Sequence, residues 1–129
     1  MNIMSLDISL IGNDGEELYS ANITHNLISM AEEAGIYEAL WRPYRLHPDY
    51  IKQESYDMEL EFEGSHAMYA RDIIKPIKKG LAKMKAKPAL FERYDSPNGW
   101  GLYKHFVPFI EKYLEACIEY PDAIIEIRR

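Results

Sequence analysis

Three short clusters hold most of the residues in this chain that could do chemistry: Asn22-Ile23-Thr24-His25-Asn26, Trp41-Arg42-Pro43 and Asn98-Gly99-Trp100-Gly101. In the first, an alternating segment gives way to a helical one, so the unbonded N–H groups of a helix start lie beside Asn22, Thr24, His25 and Asn26. The helix dipole there disfavours a protonated imidazole, which leaves His25 neutral. The plainer reading makes Thr24 and Asn26 ordinary caps and His25 a turn residue. In the second cluster, Arg42 can clamp an anion while Trp41 offers a stacking surface. Alternatively, the indole covers the core and Arg42 reaches back to the last helix carbonyls. In the third, glycines on both sides of Trp100 permit unusual backbone and leave the indole poorly shielded. With Tyr103 it can form an aromatic wall for a planar ligand, or it can fold back and plug the core edge.

Other chemistry finds little support. The chain has no paired-histidine zinc motif, no phosphate loop and no nucleophile elbow. No catalytic residue, metal or cofactor is therefore assigned, and the enzyme reading reduces to a hydrolase or transferase with His25 as base. Six of the nine lysines fall between Lys75 and Lys87, where Lys75, Lys79 and Lys83 share a helix face. A solvated surface explains them, as does a phosphate or acidic partner.

The composition bounds the rest. A chain of 129 residues with 47% hydrophobic and 28% charged content suits one soluble domain spanning residues 1–129. A net charge of −6 opposes nonspecific nucleic-acid binding, which draws its affinity from phosphate neutralisation. The single cysteine, Cys117, excludes an internal disulfide and reads as a small buried hydrophobe. No apolar run suits a membrane span and no basic leader precedes the first alternation, so a cytoplasmic protein is expected.

The hydropathy pattern predicts the elements that position these clusters. Leu6, Ile8 and Leu10 alternate with polar neighbours, Asn13-Asp14-Gly15 suits a tight turn, and Tyr19, Ala21 and Ile23 alternate in a partner strand. A first helix is expected from about Asn26 to Trp41, ended by Pro43, with Gly35 marking a close packing contact. Met58, Leu60 and Phe62 alternate with Asp57, Glu59, Glu61 and Glu63, which predicts an acidic strand over 56–63 closed by Gly64. A helical pattern follows over 65–87, where Pro76 either kinks one helix or starts another. A third helix is expected over 101–120, bent by Pro108. Ala123, Ile125 and Ile127 close the chain as a strand. The expected architecture is α+β: a small antiparallel sheet of the N-terminal hairpin and C-terminal strand, with three helices on one face.

Several strings in order carry a resemblance: Asn22-Ile23-Thr24-His25-Asn26-Leu27, Leu40-Trp41-Arg42-Pro43, Asn98-Gly99-Trp100-Gly101 and Tyr113-Leu114-Glu115-Ala116-Cys117. Together they resemble a group of small uncharacterised proteins of bacteriophages, prophages and some bacterial genomes. The resemblance implies no activity. It implies that the stretch between Leu46 and Ser65 is an addition, and it favours roles such as binding a host protein or a nucleotide signal.

The functional expectation is a non-catalytic domain for a small planar or anionic molecule. Asn22, Thr24, His25 and Asn26 would face Trp41, Arg42, Asn98, Trp100 and Tyr103 across its pocket. The alternatives are a protein-interaction module, against a host protein or a second copy, and the His25 hydrolase.

Overall fold

The computed structural model describes residues 5–129. Strands β1 (Ser5–Ile11) and β2 (Glu17–Thr24) form the expected hairpin, with Gly15 at φ 83° closing the turn. Strand β3 (Ile124–Arg128) pairs antiparallel with β1, giving the order β2-β1-β3. Leu6, Ile8 and Leu10 on the central strand are fully buried. The opposite face carries Asp7, Ser20, Asn22 and Glu126, matched across the strands by register. Period-2 patterning thus sets which face takes the helices.

The helical part is divided more finely than the periodicity predicts, into six α-helices among the described residues rather than three. The first expected helix is two, α1 (Ile28–Ala34) and α2 (Tyr37–Trp41). Gly35 separates them at φ 76°, and the N–H groups of Gly35 and Ile36 return to Glu32 and Ala31. Its role is a left-handed helix end rather than a packing contact, since among the described residues nothing beyond its chain neighbours lies within 4 Å of where its Cβ would be.

The acidic segment corrects the sequence reading most sharply. It is a helix, α3 (Tyr56–Ser65), and not a strand. Ser55 accepts a hydrogen bond from the Met58 N–H, and Asp57 and Glu59 sit in the first turn where the dipole favours them. Methionine, leucine and glutamate are also strong helix formers. No residue of α3 is buried, so no core face existed for the alternation to match. Propensity and capping decided the element instead.

Pro76 lies in the first turn of α4 (Ile74–Ala86), where a missing N–H costs no helical bond. A short α5 (Pro88–Glu92), unforeseen in the periodicity, connects it toward α6 (Tyr103–Glu119), which runs unbroken through Pro108. Phe106, Ile110, Tyr113 and Cys117 of α6 are fully buried, together with Ile77 and Met84 of α4. Burial pushes the Cys117 thiol up to about 12, which keeps it protonated and unreactive.

Beside it, the Tyr113 hydroxyl is buried and, among the described residues, meets no partner but the weak Cys117 thiol. A hydroxyl in that position has lost its water and gained only a weak contact with sulfur. Tyr113→Phe should therefore leave the chain as stable or stabilise it by about 1 kcal/mol. Denaturant unfolding checks this, and a loss of more than about 1 kcal/mol would show a bond the hydroxyl needs.

Candidate functional site

The hairpin delivers Asn22, Ile23 and Thr24 to one end of the sheet, and α6 begins beside them. Between these elements lies an open cleft of about 380 Å³, closed at one end by Gly99, Trp100 and Gly101. Leu27 and Leu102 line its apolar floor, and His105 and Phe109 of α6 form the far wall. His105 and Phe109 are one helical turn apart and so share a face. That spacing was present in the sequence, but nothing there showed that the face turns toward β2.

The loop before α6 holds Trp100 outward. Asn98 Oδ1 accepts from the Trp100 N–H at 2.9 Å, and Asn26 Nδ2 donates to the Trp100 carbonyl at 2.8 Å. The Ser96 N–H bonds the Gly101 carbonyl at 3.1 Å. Gly101 is at φ 111°, and a Cβ there would lie 2.9 Å from Asn26 Cβ, so only glycine allows the loop to approach the helix start. With the backbone fixed at these points, the indole itself remains 72% exposed. Asp95 completes the frame by accepting from the Tyr103 N–H at 2.7 Å, at the start of α6.

The structure separates the expected site residues into two groups. Asn22, Thr24 and Trp100 line the cleft, while Asn26 and Asn98 fix its loop by the bonds just described. The side chain of Asn22 is itself turned across the sheet to Ser5 and Asp7. The other four do not line the cleft. Trp41 is 1% exposed and belongs to the core, which removes it as a stacking surface. Its indole N–H donates to His25 Nδ1 at 2.9 Å, and the ring stacks on Tyr37. His25 is held in that pair, and burial lowers the pKa of its imidazole. With Nδ1 accepting from the indole and the ring outside the cleft, it supplies no base there.

Arg42 is likewise engaged rather than free. Its guanidinium donates to the hydroxyls of Tyr37 at 3.1 Å and Tyr44 at 2.9 Å, so it does not serve as a clamp in the cleft. Tyr103 faces the helical core, with its hydroxyl donating to the Met84 carbonyl at 2.9 Å. Sequence adjacency made these residues look like partners of Trp100. The break at Gly35 and the turn after Arg42 carry them elsewhere.

No protein-family model, curated protein or solved structure matches the chain. Among the described residues no helix is long and apolar enough to cross a membrane, and no three His, Cys, Asp or Glu side chains are grouped to hold a metal ion.

Proposed function

We propose that this chain is a binding domain whose cleft, between the end of β2 and the start of α6, receives a planar group stacked on Trp100. One observation carries the reading: a tryptophan 72% exposed on a loop whose backbone is hydrogen-bonded on both sides of it. An exposed indole costs free energy in isolation, and a rigid one loses little entropy when covered. His105 and Phe109 extend the aromatic lining, and the end of β2 from Asn22 to Thr24 borders it.

The ligand favoured is planar and neutral or weakly charged. Arg42, the cation that would have recognised an anion, is committed to Tyr37 and Tyr44.

The test is a thermal-shift and calorimetric screen with nucleosides, indoles and other planar heterocycles. Trp100→Ala should abolish any stabilisation found, a loss of at least tenfold in affinity, while shifting the unliganded midpoint by no more than a degree or two. A midpoint that falls by ten degrees would mean that the indole serves the fold, and the site would lose its main support.

A further inference from the structure

Among the described residues β2 is an edge strand, since the sheet order β2-β1-β3 places no strand on its outer side. The opposite edge is different. Along β3 the Ile125 N–H bonds the Met68 carbonyl at 2.9 Å and Tyr69 bridges Ile124, so part of that edge is covered. From Leu18 to Ile23, by contrast, no backbone group hydrogen-bonds any described segment other than β1. Every second residue there turns an N–H and a C=O outward.

Edge strands are ordinarily protected by lysine, proline, bulges or brevity. In β2 a charge, Glu17, and a bulge at Leu18 occur only at the start, and the run Tyr19-Ser20-Ala21-Asn22-Ile23-Thr24 has neither, nor a proline. It pairs in unbroken register with β1 from Tyr19 to Thr24. Its last three residues are the ones that line the Trp100 cleft. The outer side of β2 therefore presents a ladder of unused donors and acceptors that leads directly to an aromatic pocket.

We infer that the occupant is an extended polypeptide segment of a partner, added as a fourth strand to β2, which delivers one aromatic side chain onto Trp100. This rests on the cleft reading above and names the carrier of the planar group. Main-chain bonds to β2 supply affinity, and alternate side chains on the α6 side meet Phe109 and His105. Lys112 lies two turns beyond His105 in the same helical row and is exposed. Lys112 favours a carboxylate in the added strand near the cleft, and Glu115, one turn further along α6 and close to Tyr19, favours a cation nearer Leu18.

A displayed library of random nine-residue peptides, selected on the full chain, supplies the probe. The expected product is a family with one aromatic residue, an acidic residue near it and a basic one beyond, losing at least tenfold in affinity on Trp100→Ala. Binding should slow hydrogen exchange of alternate amides between Leu18 and Thr24, and N-methylation of every second peptide nitrogen on one edge should abolish it. Selected peptides that leave those amides unprotected, or that bind equally when methylated on either edge, overturn the added strand. If free heterocycles bind through Trp100 and no peptide does, the cleft stands and the strand falls. If neither class binds, both fall. Concentration-dependent protection of β2 without peptide would make the occupant a second copy of this chain and likewise overturn the proposal.

Discussion

Gly80→Ala should lower the thermal midpoint by roughly 6–12 °C, an unfolding loss of about 2 kcal/mol or more. By helix propensity alone the substitution would gain about 1 kcal/mol, because glycine is a poor residue in a helix interior. Packing reverses the sign. A Cβ at residue 80 would sit 2.1 Å from Ile36 Cγ2 and 3.0 Å from the Ala34 carbonyl oxygen. Ile36 is fully buried, so neither it nor the α1 backbone can yield without disturbing the core. Ile36→Leu removes the offending β-branch at nearly constant volume. In that background Gly80→Ala should cost less, with a coupling of about 1 kcal/mol or more in a double-mutant cycle. Gly64→Ala on α3, where nothing lies within 4 Å, is the control and should be neutral or stabilising. Equal costs at the two glycines would refute the packing argument.

The second large effect concerns how α3 is attached. Glu59 Oε1 accepts from Arg45 Nε at 2.6 Å, the Tyr44 hydroxyl at 2.7 Å and the Tyr50 hydroxyl at 3.2 Å. Glu63 makes a two-point pair with Arg129, whose guanidinium also donates to the Trp41 carbonyl. Phe62, packed against Tyr44, His47 and Tyr50, completes the contact. With no buried residue of its own, α3 depends on these bonds more than on apolar packing.

The Arg45 bond, with help from the tyrosine hydroxyls, holds the Glu59 carboxyl down at about 2 rather than near 4.5. A carboxylate whose pKa is depressed by folding stabilises the folded form above its unfolded pKa, and that contribution fades as pH falls toward the folded value. The window here runs from about pH 4.5 down to about 2. The full shift corresponds to about 3 kcal/mol as an upper bound, and about 2 kcal/mol is the expected local effect. Glu59→Gln should therefore speed hydrogen exchange across Tyr56–Ser65 by roughly 30-fold at neutral pH, with little change in α6. The wild-type chain should approach the same exchange on acidification through that window, while Glu59→Gln changes much less. If acid leaves α3 exchange unaltered in both, the carboxylate is not what holds the helix.

The sequence by itself determined the elements in which local pattern and burial agree. Leu6, Ile8 and Leu10 alternate because one face of β1 is buried, and Phe106, Ile110, Tyr113 and Cys117 recur at helical spacing because one stripe of α6 is buried. Asn13-Asp14-Gly15 closes the hairpin by its own conformational preferences. Where burial does not constrain the side chains, pattern misled, and the exposed α3 carries an alternation that no core reads.

The cleft was legible only in part. Gly99-Trp100-Gly101 marked an unshielded indole, because glycine neighbours are a local property. That Asn26 would hold the loop, that His105 and Phe109 would share a cleft with the end of β2, and that Gly80 rather than Gly35 would mark a close helix contact are facts of distance in space. Tertiary structure alone decided that Trp41 and Trp100 have opposite fates. The break at Gly35 turns α2 so that one indole enters the core, and the tethered loop before α6 leaves the other in solvent. The same packing puts β2 at the margin of the sheet among the described residues, since only the assembled sheet reveals which strands lie at its edges.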